Sequence, residues 1–302
     1  MLLQTFHEFS QNTMSPVATI ALHASIAGFF VSSIIALGAL LQPARVKMAW
    51  ADITGAFATG ALIAYFVVRF TEVGTEPLQN MFEVVALSAL LVALAYFVAT
   101  RLRKLPSFGA FAYPAVTIIF LVDLMLAGTA MGDTEAPISS PLLVMHIVLT
   151  ILAYGVFFMA TVAAVMFLLQ ERMLKKHKDP AILRSLPPLE SLRRLVNSCI
   201  LIGLPVLTAG FALGFASFEP SDWGGLFSNP KVLTSLVLWL VLLGVVAGKR
   251  FGWLHGRRHF YMILVGFLLV LATYIGLGIV QARSNTSIQA KSVQGGGPCS
   301  GL

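Results

Sequence analysis

Residues 219–231 read Glu-Pro-Ser-Asp-Trp-Gly-Gly-Leu-Phe-Ser-Asn-Pro-Lys, and a long apolar run flanks them on each side, at about 196–217 and 232–248. This alternation of apolar runs with short polar connections decides the fold. The connection itself has two interpretations. Trp223 and the glycine pair after it present an aromatic face and backbone N–H groups at a membrane surface, which suits a flat amphipathic ligand. The same residues also fit an interfacial aromatic anchor followed by a turn.

The composition is that of a membrane protein. Hydrophobic residues make up 58% of the 302 and charged residues only 11%, whereas an ordinary soluble domain carries roughly a quarter charged residues. We predict an all-α, polytopic membrane protein whose single helical bundle covers 1–282, followed by a flexible Ser/Gln/Gly-rich tail over 283–302. Eight runs are long enough to cross a bilayer: about 17–41, 53–69, 83–100, 109–128, 141–170, 196–217, 232–248 and 259–282.

The basic residues predict the orientation. Sixteen of the 20 Lys and Arg residues, but only four of the 13 acidic ones, fall on alternate connections. The positive-inside rule makes that side cytoplasmic and both termini outer, or periplasmic. The same rule explains the basic connections without a nucleic-acid partner or a specific lipid site. The fifth run continues in an amphipathic pattern from Leu168 to Lys176, which predicts a helix that projects beyond the membrane on the basic side.

Four ionisable residues in or beside the apolar runs fall within the predicted outer third of the membrane: His23, His146, Asp123 and Glu83. Such side chains are costly in a membrane, so each is a candidate functional residue. Two imidazoles and a carboxylate are suited to ligating a metal or haem iron, with the carboxylate fixing a tautomer. The alternative is that each histidine hydrogen-bonds within the bundle or reaches the interface.

The sequence contains no motif of a self-sufficient enzyme. It has no Gly-rich phosphate loop, no HExxH, no GxSxG and no closely spaced carboxylate pair within an apolar run. Chemistry by protein side chains alone is therefore not expected, and a bound cofactor is favoured.

Several segments, in one order along the chain, resemble the cytochrome c assembly family, the haem-handling membrane proteins of the CcsA, CcmC and HemX type. The resemblance runs from about Arg69 to Ile279. The matching segments are Gly74–Glu83, the helix from His146 to Glu171, Leu186–Glu190, Ile202–Pro205, the connection Trp223–Lys231, Trp239, Gly252–Trp253 and Gly256–Arg258.

This chain departs from the family pattern at several positions. Phe227 stands where the family has a second Trp in its Trp-rich loop, the third Trp is absent, and Asn229 and Val232 replace Asp and Glu. Thr75 stands in place of a histidine. Of the family's usual histidine ligands only His146 remains, without a matching second axial partner.

The resemblance implies a b-type, non-covalently bound haem near the outer face, with His146 as an iron ligand. His23, which the residue pattern places at a similar depth, is the candidate second iron ligand. Around the haem the resemblance places Trp223, Gly224, Phe227, Trp239 and Glu83, and the predicted depth of Asp123 adds that carboxylate. The resemblance implies a role in haem delivery to apocytochrome c, with other assembly proteins as partners, in a bacterial inner membrane. The alternative is a HemX-like scaffold or regulatory subunit that has lost most haem ligands. A small-solute transporter is a weaker third class, because no inverted repeat is evident.

Overall fold

The computed structural model describes residues 14–74, 81–103, 105, 107–127, 140–176, 186–217, 230–253 and 256–269, and these contain helices but no β-strand. Seven helices have the bounds Pro16–Leu41 (α1), Met48–Val73 (α2), Met81–Arg103 (α3), Gly109–Ala127 (α4), Pro141–Lys175 (α5), Leu189–Ala216 (α6) and Pro230–Arg250 (α7). An eighth helix, α8, covers 257–269. The all-α prediction is confirmed for the described residues.

Five of these helices are long and apolar enough to cross a membrane: α1, α2, α3, α5 and α6. Shorter apolar segments lie in α4 and α7, at Gly109–Leu121 and Ser235–Gly248. The chain is thus an integral membrane protein, while the count of eight spans stays a prediction. Residues 270–282 of the eighth predicted run and the tail 283–302 lie outside the described residues.

Helices α5 and α6 extend beyond their apolar runs into polar sequence. Helix α5 has 35 residues, so at ~1.5 Å per residue it is about 52 Å long and exceeds a ~30 Å hydrocarbon core. This confirms that α5 continues as a helix past its apolar run. Helix α6 begins at Leu189, seven residues before the predicted run, because a polar first turn precedes the apolar part. Glu190 and Arg194 pair within that part of the helix at 3.0 Å, four residues apart.

Helices α1 to α4 pack through small residues and paired hydroxyl groups. A Cβ atom on Gly28 would lie 2.8 Å from the Cβ of Ala58, so α1 and α2 are in close contact there. One turn further along, the hydroxyls of Ser32 and Thr54 are 2.7 Å apart. Such small-residue contacts allow close helix approach where lipid gives no hydrophobic force between helices.

Helices α5 and α6 run antiparallel along a seam of three α6 glycines. Gly203 faces Phe157, Gly210 faces Thr150, and Gly214 faces His146. Each step towards the end of α6 is matched by an equal step towards the start of α5, so the glycines share one face of the helix.

Helix α8 packs along α5 from the basic end. The rings of Phe260 and Phe167 stack with centroids 3.9 Å apart. At the end of this contact, Nε of Arg257 donates to Oε2 of Glu171 at 2.7 Å. This hydrogen bond raises the pKa of Arg257 above its usual range.

Helix α3 joins the two halves of the bundle. A Cβ on Gly155 of α5 would lie 3.5 Å from the Leu91 Cβ and 3.6 Å from the Val92 backbone nitrogen on α3. Along their own helices, Glu83 and His146 precede this contact by eight or nine residues.

Candidate functional site

His146 is the most informative polar side chain near the start of α5. The ring is half-buried, and its Nδ1 lies 2.6 Å from the backbone carbonyl oxygen of Gly210 on α6. A carbonyl oxygen only accepts hydrogen bonds, so Nδ1 carries the proton and donates it. In the neutral imidazole Nε2 then holds the lone pair. No residue that the structure describes hydrogen-bonds to Nε2.

The glycines of α6 make this contact sterically possible. A Cβ atom on Gly214 would lie 2.6 Å from Nδ1, 2.8 Å from Cε1 and 3.2 Å from Cγ of His146. The Nδ1 edge of the ring therefore rests directly on the α6 backbone, and the edge bearing Nε2 and Cδ2 is turned away from it. Nearby, the Ser217 hydroxyl donates to the Gly214 carbonyl oxygen at 2.7 Å.

Trp239 belongs to a small apolar cluster about two turns away along the same helices. It packs with Ala153, Phe157, Leu207, Leu242 and their neighbours. The half-buried Trp239 indole Nε1 donates to the Thr208 hydroxyl oxygen at 3.0 Å. In this arrangement Trp239 ties α7 to α6, and its predicted contact with a cofactor stays a prediction.

Glu83 is the centre of a buried polar cluster between α2 and α3. Its side chain is 1% exposed, and its Oε1 accepts from Nε of Arg69 at 2.6 Å and from the Tyr65 hydroxyl at 2.8 Å. Arg69 is itself buried, and its Nη1 lies 3.9 Å from Oε2 of the more exposed Glu72. A carboxylate engaged in this way supports the helix pair, and its predicted place beside a cofactor stays a prediction.

His23 has a different environment from His146. It is exposed on α1, and its Nδ1 lies 2.7 Å from the carbonyl oxygen of Thr19 one turn earlier. Helix α1 packs mainly against α2 and α4, whereas His146 lies between α5 and α6. The structure thus gives each histidine its own surroundings, and their pairing as two ligands of one iron stays a prediction.

Trp223, Gly224 and Phe227 lie outside the described residues, as does the side chain of Asp123. Helix α6 ends two residues after Gly214, and α7 begins at Pro230. The connection that carries the aromatic residues therefore starts close to the level of His146.

The described residues contain no group of three or more His, Cys, Asp or Glu side chains arranged to hold a metal ion. A metal centre built from protein ligands alone therefore finds no support there.

Two polar clusters in the structure were not predicted from the sequence. In the first cluster, Glu83 is bound by Arg69 and Tyr65, which lie four residues apart on α2. The sequence signal that could have indicated this cluster was Arg69, a charged residue at the end of an apolar run. The second cluster joins α2, α3 and α4. In it, Oδ1 of Asp52 accepts from the hydroxyls of Tyr96 at 2.6 Å and of Tyr113 at 3.1 Å.

These features define a class: a polytopic helical membrane protein with a half-buried histidine whose Nδ1 is occupied and whose Nε2 is available near one end of the bundle. The comparison with known families is more specific. The family model of the cytochrome C assembly protein matches residues 78–283. The chain therefore belongs to the cytochrome c assembly family, as the sequence motifs predicted.

Individual relatives carry two different names. The chain is 27% identical to Protein HemX of Brevibacillus brevis over 231 residues, which cover 70% of this chain and 78% of that protein. It is 24% identical to the cytochrome c biogenesis protein CcsA of Gloeobacter violaceus over 286 residues, covering 75% and 83%. Protein HemX of Bacillus subtilis is 30% identical over 143 residues, covering 46% and 50%. No solved structure matches the chain.

Proposed function

We propose that this protein binds haem in cytochrome c biogenesis and presents it near the outer membrane face, with His146 as an axial ligand. The observation that carries the proposal is the hydrogen bond from Nδ1 of His146 to the Gly210 carbonyl oxygen at 2.6 Å. Histidines that ligate metals commonly donate their other ring N–H to a backbone carbonyl, which fixes the tautomer and raises the basicity of the ligating nitrogen. His146 has this arrangement with Gly210.

The surroundings of His146 support this role. Met145 is 51% exposed and Leu142 is 43% exposed beside it on α5, so an apolar surface adjoins the imidazole. A porphyrin is a flat, largely apolar ligand, and the predicted aromatic contacts Trp223 and Phe227 lie on the connection that follows α6. When bound, haem would supply an iron centre with four ligands of its own. The chain contributes the imidazole, its orientation and the adjoining apolar surface.

In this proposal the protein works with apocytochrome c and other membrane assembly proteins. Holding reduced haem beside a Cys-x-x-Cys-His segment converts a bimolecular encounter into a local one, and this favours attachment. Eight spans, with both termini on the periplasmic side of a bacterial inner membrane, would place His146 on the face where that reaction occurs. Fusions of a periplasm-active and a cytoplasm-active reporter to each terminus test this topology, and a cytoplasmic carboxyl terminus would contradict it.

A second candidate function is a scaffold or regulatory subunit without bound haem. The similarity to Protein HemX of Brevibacillus brevis over 78% of that protein favours it, together with the departures in the Trp-rich connection. This candidate predicts a colourless protein that co-purifies with other membrane proteins.

An absorption spectrum of the detergent-purified protein, oxidised and dithionite-reduced, separates these functions. Haem binding predicts a Soret band that is lost in His146→Gly and restored by added imidazole, which replaces the missing side chain. Size-exclusion chromatography shows whether the variant is folded.

His23→Ala is the companion variant for the second ligand. Loss of the reduced bands in both variants indicates two histidine ligands, whereas loss in His146→Gly alone assigns the second position to a partner or to water. Absence of a Soret band even when haem is supplied during expression would refute the proposed haem binding and favour the scaffold.

A further inference from the structure

We infer that Gly210 and Gly214 are positioning residues for His146: together they fix its Nδ1–H tautomer and leave Nε2 as the one nitrogen able to bind a metal. This inference rests on the proposed function for its purpose, but its geometry is independent of haem. Gly210 supplies the acceptor and Gly214 supplies the space.

The acceptor fixes the tautomer. A neutral imidazole has one protonated nitrogen, and the partner of each nitrogen decides which one it is. Here the partner of Nδ1 is a backbone carbonyl oxygen at 2.6 Å, which has no proton to give. The Nε2–H tautomer would place two lone pairs against each other at that distance, so it is excluded while the contact persists.

The space comes from Gly214. A Cβ there would lie 2.6 Å from Nδ1 and 2.8 Å from Cε1, far inside van der Waals contact. The imidazole is a rigid ring held close to α5, so it cannot bend around the new methyl group. An alanine at 214 therefore displaces the ring from the Gly210 carbonyl. Loss of the hydrogen bond then frees the ring to exchange tautomers and to rotate.

The contact sits at the one place on the seam where it affects a metal-binding group. A Cβ added to Gly210 or Gly203 would meet Thr150 or Phe157 rather than the imidazole, so among the seam glycines it is Gly214 that keeps the space for the His146 ring. A Cβ added to Gly60 on α2 or to Gly244 on α7 would meet no described atom within 4 Å. Alanine at either of these two positions tests the general effect of a helix glycine substitution.

The experiment uses full-length, haem-free protein in detergent with ¹⁵N-labelled histidine, at a pH where imidazoles are neutral. His146→Gln assigns the His146 signals by their disappearance. The wild type is expected to show a protonated, pyrrole-type Nδ1 and an unprotonated, pyridine-type Nε2. Averaged shifts for both nitrogens, or a protonated Nε2, would overturn the inference without any further variant.

Gly214→Ala is expected to shift both His146 nitrogens towards averaged values, whereas Gly244→Ala leaves them unchanged. Unchanged shifts in Gly214→Ala would also overturn the inference. In haem titrations, Gly214→Ala is expected to weaken binding by roughly 10–100-fold, the usual effect of removing a group that orients a metal ligand. A fixed tautomer in a protein that never binds haem would refute the proposed function while leaving the positioning of His146 established.

Discussion

Replacing Glu83 with Gln removes one negative charge from the α2–α3 cluster and leaves the shape of the side chain almost unchanged. In the wild type, Oε1 of Glu83 accepts from Arg69 at 2.6 Å and from Tyr65 at 2.8 Å. The Gln amide oxygen can still accept a hydrogen bond. The variant therefore tests chiefly the neutralisation of the buried Arg69 guanidinium.

Burial sets the size of the effect. The Glu83 side chain is 1% exposed and the Arg69 side chain 7%, and removing one partner of such a pair costs about 3–5 kcal/mol. Glu72 lies 3.9 Å from Nη1 of Arg69 and is 31% exposed. A partly exposed ion pair contributes about 0–1 kcal/mol, so Glu72 offsets only a small part of the loss. We therefore expect the free energy of unfolding to fall by about 3 kcal/mol, which changes the unfolding equilibrium roughly a hundredfold.

The chain provides a matched control in Glu190→Gln. Glu190 also pairs with the Nε of an arginine, Arg194, but these side chains are 58% and 67% exposed. Removal of this pair is expected to cost less than ~0.5 kcal/mol. Unfolding by SDS in mixed micelles, followed by tryptophan fluorescence, measures both. Equal losses for the two variants would refute the argument that burial makes the Glu83 pair important.

A double variant separates charge from packing. Arg69→Met combined with Glu83→Gln removes both charges, while the Tyr65 hydroxyl keeps an acceptor. We expect it to recover to within about 1 kcal/mol of the wild type, because replacing a whole buried ion pair is often neutral. A double variant as unstable as the sum of the single ones would show that the residues act independently.

Two further predictions concern packing within and between helices. A Cβ on Gly55 would lie 2.5 Å from the Tyr113 hydroxyl, whereas a Cβ on Gly60 of the same helix would meet no described atom within 4 Å. In the same unfolding assay, Gly55→Ala should therefore lower stability by about 1–3 kcal/mol. Gly60→Ala should leave stability unchanged or raise it. Trp239→Phe removes the hydrogen bond to Thr208 and should lower stability by about 0.5–1.5 kcal/mol. Subtracting the fluorescence spectrum of this variant from that of the wild type gives the emission of the Trp239 indole. Equal stability of the two glycine variants would contradict the Gly55 contact, and a Trp239→Phe variant as stable as the wild type would contradict the contribution of the Trp239 hydrogen bond.

The sequence predicted the helices because a membrane-spanning element must satisfy its backbone polar groups internally, and an apolar run therefore indicates a helix. The run at 141–170 and its amphipathic continuation correspond to α5, which ends at Lys175. Boundaries in polar sequence were less predictable. Helix α6 begins at Leu189, ahead of its apolar run. Hydropathy did not predict this start, because it does not mark a polar first turn.

Glu83 shows where prediction from sequence stopped. An ionisable residue at the start of an apolar run marked it as a candidate, and the cost of an unpaired charge in a membrane requires a partner. The sequence did not identify Arg69 and Tyr65 as its partners, because the pairing depends on how α2 and α3 face each other.

By itself, the sequence determined the membrane class, the helical fold, the family and the candidacy of His146, since apolar length and motif order are properties of the chain alone. Only the tertiary structure decided what His146 does with its two nitrogens. Gly210 and Gly214 lie more than sixty residues further along the chain, and they meet the imidazole because α5 and α6 pack closely along a face without side chains. The protonation of a histidine depends on the atom that its ring touches, and here packing between helices supplies that atom.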